Sequence, residues 1–399
     1  MSEVLNGLID LPWWGYIVVA LILTHITIVS VTIYLHRHQT HRGLDLHPIV
    51  SHFFRFWLWI ATGMQTKAWV AIHRKHHAKC ETNEDPHSPV VMGLRKVLWQ
   101  GAELYRAEAK NQQTLEKYGH STPDDWIERH VYTPFTSRGI LLMMAIDIVL
   151  FGAAGLTIWA VQMVWIPFFA AGVINGVGHF WGYRNYECTD AATNIVPWGI
   201  LIGGEELHNN HHTFASSAKF SSKWWEFDIG WMYIRVLETL GLAKVKKVAP
   251  RPAFDPAKQR FDLETVKAVV TNRFQIMARF AREVVNQVHR EELKKVDPTD
   301  KETRALLKNS RRLIVRETSL IDEHHRQHLS KALEQNGTLS TVYTMKEKLQ
   351  GIWHRSTATH EQLMHALEEW CHQAEATGIR ALHEFALKLR TYSLHPIRV

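Results

Sequence analysis

The sequence predicts an all-α protein, an integral membrane helical domain with a histidine-rich cytoplasmic cap, followed by a soluble helical region. Three observations carry that expectation. The 399 residues are 46% hydrophobic with 16 Trp, yet mean hydropathy is −0.18, because the long apolar runs are confined to residues 1–240. Residues 241–399 are polar, charged and helical in pattern. Many of the 26 histidines fall in short clusters at the ends of the apolar runs. The composition changes at VKKVAPRPAF, residues 245–254, dividing a membrane domain, 1–245, from a tail, 255–399.

The first apolar run is LPWWGYIVVALILTHITIVSVTIYL, residues 11–35. As a helix it would be about 37 Å long, enough to cross a bilayer with some tilt. It is not read as a cleavable signal, which has a basic start and a shorter apolar core: residues 1–35 contain no Lys or Arg, and Glu3 and Asp10 precede the run. Arg37 and Arg42 follow at once, which puts the N-terminus outside and residue 36 onward in the cytoplasm. Trp13 and Trp14 stand where interfacial aromatics belong, and His25, inside the span, is expected to make a helix–helix hydrogen bond. Residues 49–64, IVSHFFRFWLWIATGM, carry His52 and Arg55 and are too short to span, so they are read as lying in the interface. A second run, residues 139–182, has one acidic residue, Asp147, and no base. It suits two spans with a tight turn near AVQMVW, residues 160–165, giving three crossings and a cytoplasmic chain after Tyr183.

Cys80, Cys188 and Cys371 lie far apart with no CxxC. That excludes a disulfide framework, a thiolate zinc site and an iron–sulfur cluster, and fits a reducing, cytosol-facing location.

On this topology four histidine-bearing segments meet at one level of the membrane. HRHQTH offers His36 and His41, HRKHH offers His73, His76 and His77, NGVGH contains Asn175 and His179, and HNNHH supplies His208, His211 and His212. In each HxxHH run the i, i+3, i+4 spacing puts three imidazoles on one helix face, as one element serving two neighbouring metal ions requires. His36 and His41, five apart, would lie about 140° around an ideal α-helix, so a helix end with relaxed geometry is expected there. Nine imidazoles are too many for one ion and suit two. Imidazole alone suits iron, zinc, copper or nickel. A closed structural zinc site wants four ligands, and the Glu and Glu-x-x-His pattern of soluble di-iron bundles is absent.

The order HxxxxH, HxxHH, NxxxH, HxxHH, with DPHSP at 85–89 and NNHHTF in the last box, resembles the membrane fatty acid desaturases over roughly residues 10–245. Within that family it is most similar to bacterial delta-9 acyl desaturases such as those of pseudomonads. The resemblance implies two iron ions that use O2 and two electrons to introduce a cis double bond into a long-chain acyl group, held as an acyl-CoA or in a phospholipid. It implies His36, His41, His73, His76, His77, His179, His208, His211 and His212 as iron ligands, and Asn175 as the holder of an iron-bound water. The cofactor does the hard oxidation; the protein supplies ligation, a dry channel and alignment. Family members of the animal type have two spans before the first box, and this chain has room for one.

A ligating imidazole gives its other N–H to a carboxylate or carbonyl. Glu81, Glu84, Asp85, Glu187, Asp190, Glu205 and Glu206 lie near the boxes, with Glu205 or Glu206 favoured. His87 is expected to shape its loop, and His38 and His47, outside the spacing, not to be ligands. Trp69, Trp181 and Tyr183 flank the boxes and are candidates to line an acyl channel.

In the tail, residues 266–296 read as helical, DPTD at 297–300 as a break, and 303–335, 340–354 and 361–390 as further helices. DEHHRQH, with His324, His325 and His328, imitates a box and is read as a solvated helix face. The tail would dock on the cytoplasmic side or bind a redox partner or second subunit; its basic stretches are too poor in aromatics to indicate nucleic acid. No haem, dinucleotide or cysteine-cluster motif is visible, so a separate electron donor, ferredoxin-type or a flavin or iron–sulfur reductase, is expected at the basic surface. The expected location is the bacterial inner membrane, with site and C-terminus cytoplasmic. A membrane di-iron hydroxylase of alkanes or lipids is the alternative, and a non-catalytic metal store a third.

Overall fold

The computed structural model describes residues 7–353 and 358–395; Glu3 and the last residue of the expected 340–354 helix lie outside them. The chain folds as two units: Met1–Asn185 with Asp190–Ala249, and Tyr186–Thr189 with Pro250–Val399.

The first unit begins with α1 (Trp13–Thr40), whose last stretch, Ser30–Thr40, is wound as a π-helix. There follow α2 (Pro48–Thr62), α3 (Thr66–Lys79), α4 (Leu94–Glu108), α5 (Gln112–Tyr118) and α6 (Thr136–Phe151). The long α7 (Ala153–Val177) is again π-wound over Ile166–Val177. Short α8 (His208–Thr213) and α9 (Ile229–Thr239) close the unit. Antiparallel pairing of Leu44–Leu46 with Ala243–Val245 ties the segment after α1 to the end of the unit. Ile33, Tyr34, Leu58 and Ile234, all at most 2% exposed, form the core beneath the histidines.

Among the described residues, α1 and α7 are the helices long and apolar enough to cross a membrane. The expected pair of spans in 139–182 is corrected here: α6 has 16 residues, short of the roughly 20 that spanning needs. The turn between the two helices is at Gly152, with φ 60° and ψ −138°, a backbone state that only glycine adopts readily. AVQMVW therefore lies inside α7. A second correction concerns Arg37. Read as a cation at the membrane surface, it is fully buried and ion-paired to Asp228, so the charge excess after the first span rests on Arg42.

α4 runs against the π-wound half of α7 at a distance that only glycine permits. A Cβ on Gly101 would come within 2.3 Å of the Ala171 carbonyl, and one on Gly172 within 2.4 Å of the Leu98 carbonyl. This contact builds one wall of the cavity described below.

The second unit is a helical array: α10 (Leu263–Thr271), α11 (Arg273–Phe280), α12 (Asn286–Lys295), α13 (Lys301–Val315), α14 (Glu323–Gln335), α15 (Gly337–Trp353), α16 (His360–Ala376) and α17 (Arg380–Arg390). Val266, Phe280, Leu307, Leu349, Trp370 and Phe385 are in its core. Three expected helices are each split, the first of them, 266–296, at Asn272 between α10 and α11. Residues 303–335 break before Asp322, whose side chain caps α14 by accepting from the His325 N–H, and 361–390 break at Gly378, φ 70°.

Candidate metal centre

The centre is assembled from four stretches of the first unit. The end of α1 supplies His36 and His41, α3 supplies His73, His76 and His77, the turn after α7 supplies His179, and α8 supplies His208, His211 and His212. His36 and His41 are brought together by winding rather than by a frayed helix end. The His41 N–H donates to the His36 carbonyl at 3.1 Å, an i→i+5 bond that closes one wide turn between the two rings.

Their side chains sort into two adjacent groups. His36, His41, His73, His77 and His211 form one and His76, His179, His208 and His212 the other, with the donor atoms of each group within 4.8 Å of one another. Each HxxHH run serves both: α3 gives His73 and His77 to the five and His76 to the four, while α8 gives His211 to the five and His208 and His212 to the four. The groups touch where His77 stacks on His212, ring centres 4.4 Å apart.

Within the five, Nε2 atoms follow one another at 3.0 Å (His36 to His211), 2.9 Å (His211 to His77), 3.1 Å (His77 to His73) and 3.1 Å (His73 to His41). In the four, His208 and His179 Nε2 are 2.9 Å apart. Two nitrogens each about 2.1 Å from one ion and at right angles lie about 3.0 Å apart, so this is the separation of neighbouring ligands. A neutral imidazole carries one N–H, and rings whose Nε2 atoms each face two others cannot satisfy one another by hydrogen bonds alone. His208 Nδ1, His211 Nδ1 and His212 Nε2 are buried with no hydrogen-bond partner among the described residues.

Carboxylates hold the outer nitrogens. His36 Nδ1 donates to Glu205 at 2.6 Å, His76 Nδ1 to Asp85 at 3.0 Å, His179 Nδ1 to Glu81 at 3.3 Å and His212 Nδ1 to Asp190 at 3.2 Å. Each such bond fixes the proton on Nδ1 and leaves the Nε2 lone pair facing inward. Burial, reinforced by neighbouring imidazoles, holds His41, His73, His77, His208, His211 and His212 well below the ordinary histidine range, so they are neutral, the ligating form. Burial works to raise Asp85, but His76 beside it overcomes this and brings it to about 2. Glu81 is pushed up by burial to about 7. Nitrogen donors, buried unpaired ring atoms and four carboxylates around two clusters fit a pair of divalent cations.

The other candidates divide. Of the favoured pair, Glu205 reaches an imidazole, while Glu206 accepts from the backbone N–H groups of Ile202 and Gly204 and only shapes the turn. Glu84 pairs with Lys79 at the surface, and Glu187 belongs to the second unit, accepting from the Glu317 N–H. His38 turns Nδ1 to the Leu44 carbonyl and His47 caps α2. His25 lies 2.8 Å from the Tyr233 hydroxyl. His87 stacks on His76 with ring centres 4.4 Å apart; its Nε2 has no hydrogen-bond partner among the described residues, and burial lowers it to about 3. In the tail, His325 pairs with Asp322 and His328 reaches the Leu306 carbonyl.

A cavity of about 810 Å³ opens onto this centre, within the size range of small-molecule sites. His36, His73, His208 and Asn175 line it at one end, apolar residues of α3, α4 and α7 form its walls, and Arg106 and Lys110, both exposed, stand at its edge. Trp69 lines it, stacked on His73. Trp181 does not: it is 66% exposed. Tyr183 is drawn away from the lining by its bond to Glu226.

Sequence reasoning missed two supports of the centre. Arg37 makes a double hydrogen bond to Asp228 and also donates to the Gly203 and Ala218 carbonyls. Glu226 accepts from Tyr183, Asn185 and Asn210 at 2.8, 2.5 and 2.9 Å, fixing the polar side of α8. Two acids two residues apart in EFD, just after the last box, are the signal that could have pointed to them.

Comparison with known proteins follows the two units. Residues 11–259 match the fatty acid desaturase family, and residues 263–395 are similar to a transposase family. The chain is similar to a probable lipid desaturase of Arabidopsis thaliana, 32% identical over 225 residues, 55% of this chain and 60% of that protein. It is also similar to the delta-9 acyl-lipid desaturase 1 of the same plant, 30% identical over 234 residues, 58% of this chain and 74% of that protein. An acyl-CoA 5-desaturase of Anemone leveillei is 32% identical over 222 residues, 54% of this chain and 67% of that protein. This chain therefore spans less than two thirds of the first of them. The family match takes in every histidine of the two clusters and well over half of the sequence, and on that ground the chain belongs to the fatty acid desaturase family.

Proposed function

We propose that the protein is an O2-dependent delta-9 desaturase of long-chain saturated acyl groups, with two iron ions held by the five- and four-histidine clusters. The observation that carries this reading is the convergence of nine imidazoles, in two touching groups, at one end of an apolar cavity. His36, His41, His73, His77 and His211 would hold one ion, and His76, His179, His208 and His212 the other, with Asn175 holding a water beside the smaller group. The ions, when bound, supply activation of O2. The rest is the chain's own work. Glu205, Asp85, Glu81 and Asp190 keep their imidazoles turned inward. The cavity walls exclude water and lay one methylene pair against the histidines. In balance, the acyl CH2–CH2 gives up two hydrogens, O2 takes four electrons, two of them from the chain and two from a donor, and two waters leave.

Membrane location is part of the proposal: α1 and α7 cross the bacterial inner membrane, with the centre and the tail on the cytoplasmic side. Relatives named for acyl-lipid and for acyl-CoA substrates leave two carriers, and Arg106 and Lys110 at the cavity edge would meet the phosphates of either. A separate ferredoxin-type or flavin or iron–sulfur reductase would supply the electrons.

The test is the fatty acid profile of a host lacking its own aerobic desaturase, grown in air with and without the chain. A cis-monoene unsaturated at carbon nine that needs air and His211 supports the reading, and the pool in which it first appears identifies the carrier. A hydroxylated lipid or alkane in its place would make the chain a hydroxylase. An unchanged profile, with iron and reductant present, would overturn both.

A further inference from the structure

Asp147 and Gln162 are two polar side chains in the apolar helices α6 and α7, 1% and 2% exposed, and the centre makes no use of either. The Gln162 Nε2 donates to Asp147 Oδ2 at 2.9 Å. A carboxylate only accepts, so it holds the NH2 end of the amide toward itself and turns the amide oxygen away. That oxygen, Oε1, is buried with no hydrogen-bond partner among the described residues, and Gln162 lines the cavity that ends at the histidines. A helix–helix bond serving stability alone would have both ends of the amide paired; here one end is bare and borders the ligand space. Polar groups so placed are costly, and their retention marks function.

Position along α7 says which function. Asn175 lines the cavity next to the centre, and Gln162 lines it thirteen residues earlier on the same helix, up to about 20 Å away along the axis. Between them the lining face of α7 is apolar: Met163, Ile166, Pro167, Ala170 and Ile174. An acyl chain stopping short of Gln162 leaves room for a water to donate to Oε1. A chain that reaches it covers the oxygen with methylene and leaves it unpaired.

We propose that Gln162, oriented by Asp147 and one turn short of Trp159, the last lining residue of α7 counted from the centre, makes a polar wall at the far end of the acyl cavity and sets the longest chain that binds. This rests on the desaturase reading for the identity of the ligand. Against an apolar wall, each further buried methylene would raise affinity about fourfold; against Gln162 the rise stops and reverses.

The experiment uses the full chain, purified without iron, and saturated fatty acids of graded length in two-carbon steps, competing against a fluorescent fatty acid. Affinity of the native protein should climb with length and then drop about tenfold at one step. In the Asp147→Leu/Gln162→Leu double variant, which replaces the pair by apolar side chains, the drop should vanish or move to longer chains, with short-chain affinity within about twofold of native. If that variant does not fold, Gln162→Asn, which keeps the amide but draws it back by one methylene, should move the drop to longer chains. A smooth rise in the native protein, or a drop at the same length in the folded variants, overturns the proposal. A chain of the dropped length that carries a terminal hydroxyl should recover affinity in the native protein, by donating to Oε1, and not in the double variant; no recovery overturns the proposal. A length step in binding with no desaturated product from the iron-loaded, reduced protein would sink the desaturase reading and leave the end wall in place.

Discussion

Arg37 faces Asp228 in a doubly hydrogen-bonded ion pair, 2.9 and 3.2 Å, with neither side chain exposed. The guanidinium also lies 3.7 Å over the Phe220 ring, and Phe220 in turn packs against His36 and His211. One residue after the first histidine, the chain is thus locked to the segment that follows the last box. Removing one partner of a buried pair strands the other charge, at a cost of about 3–5 kcal/mol. Arg37→Met and Asp228→Leu should each lower the thermal midpoint strongly, and the double variant, which strands no charge although it frees the backbone groups that the pair also bonds, less than the sum of the two. Additive losses would mean that the pair is not coupled as the geometry has it.

The division of the histidines makes a separate, countable prediction. His41→Ala removes a ligand of the five-histidine group alone, and His179→Ala one of the four-histidine group alone. Each variant should fold, lose desaturation, and bind about one iron per chain where the native protein should bind two, measured by elemental analysis after iron loading in the cold. Two irons retained in both variants, or loss of both in either, would contradict two separate clusters. His324→Ala, in the exposed run of the tail, should leave iron content and product unchanged.

Much of this centre was legible from spacing, because three imidazoles at i, i+3 and i+4 leave a helix on one side whatever the helix packs against. The pairing of carboxylates was less so. Glu205 and Glu206 are neighbours in an irregular turn, and which one faces His36 depends on Gly203 and Gly204, both at positive φ. The π winding that unites His36 with His41 has no sequence signature, since the same residues suit an α-helix. Asp147 appeared as the lone acid of an apolar run, but its partner Gln162 lies fifteen residues away across a turn that was placed too late. Apolar content gives no marker of where a helix ends; Gly152 was the available sign.

Acid should weaken the metal-free protein. A buried histidine that stays neutral when folded takes up a proton below about pH 6.5 once unfolded. The unfolded state then binds more protons, and stability falls with falling pH, by up to about 1.4 kcal/mol per pH unit for each such ring. Seven rings of the centre are of this kind, His179 among them. Asp85, depressed to about 2, adds to the loss once the pH falls below the ordinary aspartate value near 3.8. Glu81, raised to about 7, opposes it between roughly pH 7 and 4.5, as does Glu206, also raised by burial, but the seven rings outnumber them. Thermal unfolding of iron-free protein should therefore move to lower temperature from pH 7 to 5. A midpoint that holds or rises over that range would mean the rings are charged or exposed in the folded state.

The carboxylate partners offer the sharpest comparison, because Glu205 and Glu206 are adjacent, both buried, and differ in what they touch. Glu205 takes the Nδ1 proton of His36 and the hydroxyl of Thr32, 2.6 and 2.7 Å away; Glu206 takes two backbone N–H groups of its own turn. Removing a carboxylate behind a ligating imidazole costs about 10–100-fold in metal affinity. Glu205→Gln keeps the size and an acceptor oxygen but loses the charge that fixes the tautomer, so iron affinity of the five-histidine group should fall by that factor with little change in the unfolding midpoint of the iron-free protein. Glu206→Gln should do the reverse, moving the midpoint while affinity stays within about threefold. Competition with a chelator on both purified variants decides it. Equal losses of affinity would mean that the turn as a whole, and not one carboxylate, positions His36.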